Sequence, residues 1–438
     1  MKKDKYGNIS QENLQKELDE IIGKGKTETE DVGENFEIYF VESKRYYELN
    51  QNGDISEYKT VVEDKFPGNI AKDRNGNNLD GNTEPYEINC IEDLVALSNI
   101  SNGKGNYIDA EGNIVEASFN TFSGKNIVLT QSLNFNSKRS YADLSIMWSY
   151  DEENDAYIID ENSNTTLKEI ITDKDGVGFV PIGPDTGSGN LMFAGNLDGE
   201  GFEIKNIYEN RSGCTGLFRT LYKSIIRNLG ITGEFTSIGN SAGGISGVSL
   251  GGKFYNCYNL ATINSKKMGG GIVGSAMGNL TIINCYNGGS IKGNSDNVGG
   301  LVGYNDINST CKIINSYNIG TLKSSTNKNA NGILGGAYNT GSRIIINSCS
   351  LGKILSTAYT FYYSWGGATV ELDHCYYLGT IVNGTDNIYV NEGASGFLEN
   401  SEEILEQLNN YVEEHKSEYD IPLKAWKIGE NLYPILEK

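Results

Sequence analysis

A sequence repeat of 27–32 residues constrains the fold of this chain more than any other feature. One element reads apolar-x-Asn-Cys/Ser-Tyr-Asn-x-Gly-x-Ile, with some variation between copies. The copies are Phe254–Ile263, Ile282–Ile291, Ile313–Leu322, Ile345–Ile354 and Leu372–Ile381. A second element, Gly-Gly-Ile/Leu-x-Gly, alternates with the first about half a period away. Each period therefore carries at least two short strands that are separated by Gly, Asn and Ser turns.

A repeat of this length cannot close a hydrophobic core alone, whereas stacked copies bury a continuous one. Gly and Asn are too frequent here for a helical solenoid, since both disfavour helix. A propeller blade needs about 40 residues or more. We therefore predict an all-β fold, a parallel β-helix or β-solenoid in which each period forms one coil.

The repeats also predict which side chains of a coil point inward. The first position of the element is apolar in every copy, so we expect it to face the core. The next position holds Asp373 in the last copy, so we expect it to face outward. The Asn that follows suits a corner, because Asn tolerates left-handed backbone, and stacked Asn side chains could form an amide ladder. The aligned residues are Asn228, Asn256, Asn284, Asn315 and Asn347, with His374 in the sixth place.

The position after the corner holds only small side chains. It is Cys257, Cys285 and Cys375 in three copies, and Ser316 and Ser348 in the other two. The exchange of Cys for Ser favours an interior ladder of small residues. Disulfides between coils are the alternative, because adjacent strands lie about 4.8 Å apart and this separation is close to the Cα range of a disulfide.

Several segments resemble the GLUG-motif repeats of bacterial surface proteins. They are FAGNLDGEGFEIKNI at Phe193–Ile207, GLF at Gly216–Phe218, RNLGITG at Arg227–Gly233 and the repeated GGIVG or GGLVG. Such repeats also occur in the non-catalytic N-terminal region of the M26-type immunoglobulin A1 peptidases. The resemblance covers residue 85 to the C-terminus and implies a right-handed parallel β-helix that is exported and displayed at the cell surface. It implies no activity, since the zinc motif of the peptidase does not occur in this sequence.

The segment 1–84 reads as a small α+β head. We predict a helix at Ser10–Ile22 and strands at Phe36–Val41, at Arg45–Leu49 and near Tyr58–Val62. A helix followed by a β-meander resembles the globular head of a pilin-like protein.

Three further segments follow the head. Residues 85–212 hold a helix at Ile91–Ile100, expected to cap the open end of the solenoid, and the irregular first coils. Residues 213–395 hold the repeats. Residues 396–438 hold an amphipathic helix at Ser401–Lys416, expected to close the C-terminal end, and a closing segment.

Charge and hydropathy exclude several classes of protein. The net charge of −21 makes the chain a poor partner for nucleic acid or anionic lipid. No apolar run approaches the ~20 residues of a membrane-spanning helix. No secretory signal opens the sequence as given, and we expect an extracellular or cell-surface protein. Residues 213–382 nevertheless carry 12 Lys and Arg against five Asp and Glu. Three explanations are open: the acidic flanks are simply solvated, the solenoid is cationic and faces an acidic glycan, or the head contacts the body.

Catalytic residues are scarce in the repeats. Glu371 and Asp373, two apart on one strand, are the best pair of carboxylates for glycoside hydrolysis. With two histidines in the chain, a His-rich metal site cannot be built. We expect no enzyme activity, no metal and no cofactor; the alternative is a polysaccharide lyase or glycoside hydrolase on a β-helix scaffold.

Four tyrosines occupy equivalent positions in successive coils. They are Tyr258, Tyr286, Tyr317 and Tyr376. Sugar rings dock on aromatic faces, so this column is the candidate ligand-binding site, although the rings could instead only stabilise one another. The sequence thus predicts a non-catalytic surface β-solenoid, an adhesive or spacer module whose partners are glycans or proteins of the host or cell surface.

Overall fold

The computed structural model of the chain describes most residues downstream of residue 78 and short segments upstream. The described residues are 36–40, 45–49, 55–60, 70–71, 79–103, 106–108, 114–116, 120–135, 149–151, 156–158, 172–173, 176–184, 192–294, 297–325, 329–338, 340–364, 370–378, 388–397, 401–430 and 433–437.

Three long sheets, here called A, B and C, form the body of the protein. Sheet A has 13 strands: Tyr86–Ile88, Asn126–Leu129, Asn196–Asp198, Phe218–Arg227, Ser246–Tyr255, Val273–Ala276, Leu280–Ile283, Val302–Asn305, Cys311–Ile314, Leu334–Ala337, Arg343–Ile346, Tyr362–Ser364 and Val370–Asp373. Sheet B has 14: Leu133–Asn134, Thr172–Asp173, Gly176–Gly178, Glu203–Arg211, Gly230–Ser237, Tyr258–Asn259, Thr262–Ser265, Tyr286–Asn287, Ile291–Gly293, Tyr317–Asn318, Leu322–Lys323, Cys349–Ser350, Cys375–Leu378 and Ala394–Phe397. Sheet C has six: Ser241–Gly243, Met268–Gly270, Asn297–Gly299, Ala330–Asn331, Ala358–Tyr359 and Ile388–Tyr389.

The chain visits the sheets in the order A, B, C and then returns to A one coil further on. Neighbouring strands are parallel throughout, except at the edge strands Thr172–Asp173 and Gly176–Gly178 of sheet B, which run antiparallel. The register follows the sequence repeat, so that Ile282 pairs with Phe254 on one side and with Ile313 on the other. The predicted parallel β-solenoid is confirmed, with one repeat in each coil.

The core runs without interruption along the coils. Phe254, Ile282, Ile313 and Ile345 are all at most 1 % exposed, and Leu372 is partly buried against the same cluster. The inward assignment of the first repeat position is therefore correct. Each sheet contributes a continuous column of inward side chains to this core. Every coil therefore buries the apolar faces of its neighbours as well as its own.

A helix, α1 (Ile91–Asn102), lies at the N-terminal end of the solenoid. It follows the edge strand of sheet A, and Leu94 and Leu97 are fully buried in the common core. The Ser98 hydroxyl donates to the carbonyl of Val180 at 2.6 Å, and the Asn102 amide donates to that of Pro181 at 2.9 Å. The helix thus covers the first coils, as the sequence predicts.

The second helix is α2 (Ser401–His415). The sequence predicts that this helix closes the opposite end of the solenoid, but it lies elsewhere. It packs on the side of the last coils, where the Tyr376 hydroxyl donates to Gln407 at 2.6 Å and the rings of Tyr411 and His374 lie 5.0 Å apart. After α2 the chain turns back along the solenoid and ends in the antiparallel hairpin Trp426–Ile428 and Pro434–Leu436. We call residues 401–437 the C-terminal clasp.

Short antiparallel sheets complete the described residues. The three strands predicted in the head form one sheet, in which Arg45–Leu49 pairs with both Phe36–Phe40 and Ile55–Thr60. The helix predicted at Ser10–Ile22 lies outside the described residues. Two hairpins occur upstream of the regular coils: Asn106–Ile108 with Ile114–Glu116, and Ser149–Asp151 with Ala156–Ile158.

Candidate functional site

The corner after sheet A is built from left-handed residues, as predicted. The five aligned Asn residues and His374 have φ angles between 48° and 56°. Asn adopts this region more readily than other non-glycine residues. A β-branched residue at the same position would strain every corner, which explains why Asn recurs there.

The corner side chains form a continuous amide ladder. Each amide donates to the side-chain oxygen of the preceding coil, from Asn347 to Asn315 at 2.8 Å and from Asn315 to Asn284 at 2.7 Å. The same bond joins Asn284 to Asn256 at 3.0 Å and Asn256 to Asn228 at 2.8 Å. The ladder ends on a carboxylate, because the Asn228 amide donates to Asp198 at 2.9 Å.

The clasp binds to this ladder through the second hydrogen of the same amides. Asn284 donates to the carbonyl of Pro422 at 2.9 Å and Asn315 to that of Lys424 at 2.8 Å. Asn347 donates to the carbonyl of Leu408 in α2 at 3.1 Å. The clasp thus runs along the outside of the solenoid and crosses at least three coils.

The ladder also accepts hydrogen bonds from the clasp. The indole of Trp426 donates to the side-chain oxygen of Asn315 at 2.6 Å. The backbone amide of Lys424 donates to the side-chain oxygen of Asn284 at 3.1 Å. Two further contacts fix the clasp at Asp420. Its carboxylate accepts hydrogen bonds from the Lys253 amine and the Tyr255 hydroxyl, both at 2.5 Å. These bonds hold the pKa of Asp420 below its ordinary value of 3.8, chiefly through Lys253.

The clasp corrects one sequence-based assignment. The position after the inward residue was expected to face solvent, but Tyr255, Ile283 and Ile314 are only 4 %, 1 % and 2 % exposed. These side chains do point away from the solenoid core, and Leu423 and Trp426 join them in one buried cluster. In the last copy of the repeat this position is exposed, at Asp373.

The predicted tyrosine column exists, and its rings stack face to face. Tyr258 and Tyr286 lie 4.9 Å apart with planes 7° apart, and Tyr286 and Tyr317 lie 4.9 Å apart with planes 6° apart. Cys349 interrupts the column before Tyr376. Burial raises the pKa of Tyr286 to about 12, and it also raises the pKa of Tyr258 and Tyr317. The column is therefore neutral at physiological pH.

This geometry argues against the column as a platform for sugar rings. The ring faces contact one another, so a ligand would meet only edges. Tyr317 is 3 % exposed and packs against Trp426, with 5.6 Å between ring centroids. Tyr376 is 5 % exposed, and Tyr258 is held by Glu203 at 2.7 Å. The stacking favours the alternative in which the tyrosines stabilise one another, and Tyr317 also receives the clasp. A binding role of the column stays a prediction.

A second amide ladder, which is not among the features predicted from the sequence, lies inside the coils. Asn259 donates to Asn287 at 2.8 Å, and Asn287 donates to Asn318 at 2.8 Å; all three are fully buried. The second Asn of the repeat motif was the available signal. It also explains the Gly-Gly element, since a Cβ on Gly271 would come within 2.7 Å of Asn287.

The small residues after the corner form the predicted interior ladder. All five are at most 1 % exposed, and their backbone amides bond the next coil, as from Cys257 to the Cys285 sulfur at 3.3 Å and from Cys285 to the Ser316 hydroxyl at 3.0 Å. Every cysteine of the described residues is a free thiol. Burial raises the pKa of Cys285, Cys349 and Cys375.

The best pair of carboxylates lies on an open surface. Glu371 and Asp373 are exposed on sheet A, and Asp373 pairs with His374 at 2.9 Å. A hollow of about 460 Å³ lies elsewhere, between the clasp hairpin and Ile319. Within the described ranges, no three His, Cys, Asp or Glu side chains are grouped so that they could hold a metal ion. The helices in this part of the chain are too short or too polar to cross a membrane.

The fold is similar to the crystal structure of a Bacteroides ovatus protein that is provisionally named an immunoglobulin A1 protease. The two structures have a TM-score of 0.53 and 18 % sequence identity, over 82 % of this chain and 94 % of that chain. At this identity the likeness shows the fold alone. No family model matches the chain, and no curated protein matches it. The neighbour's name agrees coarsely with the peptidase-associated part of the sequence resemblance, whereas the GLUG assignment stays a prediction.

Proposed function

We propose that the chain is a non-catalytic module of the bacterial cell surface, a stiff β-solenoid that serves as a spacer or adhesive element. The observation that carries the proposal is the continuity of the body. Three long sheets and one apolar core pass from coil to coil, and two amide ladders join neighbouring coils. Such a stack resists bending, because each coil is bonded to its neighbours on every side.

The placement of polar groups supports the non-catalytic part of the proposal. General acid–base chemistry needs a proton donor or acceptor within reach of a bound substrate. The amides of the corner ladder bond one another and the clasp, and the tyrosine faces are stacked. Glu371 and Asp373 are solvated on an open face.

The surface location rests on the sequence resemblance and not on the structural neighbour. That protein is provisionally named an immunoglobulin A1 protease, and the sequence resemblance points to the non-catalytic repeats of exported peptidases. The proposal carries over the exported, non-catalytic character and none of the proteolytic activity.

Two experiments test this function. Purified full-length protein should release no product from polygalacturonate, neutral glycans or immunoglobulin A1. Turnover that disappears in Glu371→Gln or Asp373→Asn would replace the proposal with a polysaccharide-acting enzyme. In the source cells, an antibody against the solenoid should label intact cells without permeabilisation, and labelling only after permeabilisation would refute the surface location.

A further inference from the structure

One face of the solenoid is solvent-exposed and cationic. On the stretch of sheet B formed by Thr262–Ser265, Ile291–Gly293 and Leu322–Lys323, residues alternate between the core and solvent. The inward column, which includes Ile263, Ile291 and Leu322, is fully buried. The outward columns are therefore held in register by the same core that stabilises the fold.

Lysines dominate the outward positions of this face. Lys292 pairs directly with Lys323 in the next coil, and Asn264 precedes them in the same column. Lys266 flanks that column, and Lys353 lies one column away in the coil after Lys323. We call Lys266, Lys292, Lys323 and Lys353 the lysine strip, and all four side chains are exposed.

The strip lacks internal neutralisation within the part of the chain that the structure describes. None of its four amines forms an ion pair there. Elsewhere exposed lysines do find carboxylates, as Lys253 does with Asp420 and Lys416 with Glu413. The column beside Lys292 and Lys323 carries hydroxyls, from Thr262, Ser290 and Thr321, so the face combines charge with neutral hydrogen-bonding groups.

The net charge of the whole chain does not prevent a local cationic site. Residues 213–382 have an excess of seven positive charges, and the acidic residues are concentrated in the flanks. At physiological ionic strength the Debye length is about 8 Å, so exposed charges further away are largely screened. A ligand lying on the strip therefore responds mainly to the lysines beneath it.

We propose that the lysine strip binds a linear anionic polysaccharide, which lies along the solenoid axis. This inference rests on the surface-module function above and names its ligand class. Adjacent coils lie about 4.8 Å apart, so amines in successive coils meet charged groups that recur along an extended chain. Carboxylated and sulfated glycans share this chemistry. Lysine, a compact point charge, does not require the bidentate geometry that Arg favours.

The test compares full-length protein and matched variants on three immobilised glycans: polygalacturonate, heparin and neutral dextran. The wild type should bind the two anionic glycans, more weakly as salt rises, and should not bind dextran. Lys292→Gln/Lys323→Gln should weaken binding by more than twofold and by up to about 25-fold, because each exposed ion pair contributes up to about fivefold. The control Lys416→Gln/Lys427→Gln removes the same charge from the clasp and should change affinity less than twofold.

Stronger binding of heparin than of polygalacturonate would show that sulfate adds to the affinity, because polygalacturonate carries carboxylates alone. Equal weakening by both double variants would refute the strip, because it would reduce the effect to net charge. Binding to dextran that equals binding to the anionic glycans would refute the ligand class while leaving the adhesive function intact. Equal binding of a single-stranded oligonucleotide would also overturn the assignment to glycan. The absence of binding to every glycan would refute this inference. The proposed surface module is tested separately, by the cell-labelling and turnover experiments.

Discussion

The corner ladder makes a strong prediction at Asn315. Its side chain donates to Asn284 and Lys424 and accepts from Asn347 and Trp426, at 2.6–2.8 Å. Each bond contributes about 0.5–1.5 kcal/mol net. Alanine would also place a Cβ-bearing residue without a compensating side chain at φ 50°, which costs roughly 1–2 kcal/mol. We expect Asn315→Ala to lower the free energy of unfolding by about 3–8 kcal/mol.

Two variants separate the contributions. Asn315→Gly loses the same four bonds but tolerates the left-handed backbone, so it should cost about 1 kcal/mol less than Asn315→Ala. The control Asn264→Ala removes an outward Asn that makes one bond to the Thr236 hydroxyl at 3.1 Å, and it should cost less than about 1 kcal/mol.

Urea unfolding followed by far-ultraviolet circular dichroism measures these differences, provided that the slope with denaturant is unchanged. Hydrogen exchange adds a local readout, because the Lys424 amide donates to Asn284 in the next rung and should exchange faster in Asn315→Ala. A loss in Asn315→Ala no larger than in Asn264→Ala would refute the ladder argument. A glycine variant less stable than the alanine variant would refute the backbone argument.

The clasp, the core and the thiols give three further predictions. Ile282→Asp and Ile283→Asp should both lower the melting temperature strongly, because each buries an unpaired carboxylate. An unchanged melting temperature in Ile283→Asp would show that the clasp does not cover that position. Buried thiols such as Cys285 should react with a thiol reagent only after denaturation, and a melting temperature that falls on adding reductant would instead indicate bridged coils. The lowered pKa of Asp420 means that its stabilising bond to Lys253 is present above its ordinary value of 3.8 and is lost as pH falls through the folded value. Protection factors in residues 419–426, which correct for the slower intrinsic exchange in acid, should therefore fall as the pH drops below 3.8 in the wild type and should change less in Asp420→Asn.

The parts of the fold that repeat were predictable, because each repeat is an independent test of one position. The apolar first position, the left-handed Asn and the small residue after it are each seen in several copies, and all three assignments hold. The exchange of Cys257 for Ser316 between copies indicates an interior site, because the two side chains share little except their small size.

The parts that do not repeat were harder to predict. The clasp lies 61 to 140 residues along the chain from the ladder residues that it binds. Apart from the Trp426 indole, it bonds the ladder through backbone groups, which carry no sequence signal. The outward face at Ile283 is therefore buried by a segment that occurs once. The tyrosines show a different limit, because equivalent positions predict a stack but not whether ring faces or edges meet the solvent.

The two amide ladders run in opposite directions, which has an electrostatic consequence. In the corner ladder every amide donates toward the N-terminal coils, whereas Asn259 and Asn287 donate toward the C-terminal coils. Aligned amide dipoles add along a row, as peptide dipoles do along a helix, so the two rows carry opposing axial dipoles. The corner row directs its positive end at Asp198. Burial acts to raise the pKa of that carboxyl, but bonds from the Glu200 amide, Asn228 and Arg227 together lower it.

Asp198 therefore serves the outer row as an acidic residue serves the N-terminus of a helix, by placing a negative charge where the aligned N–H groups end. An added coil of the same sequence would lengthen both rows equally and leave their opposition intact. Replacement of Asp198 would leave the positive end of the outer row without its counter-charge at the first regular coil.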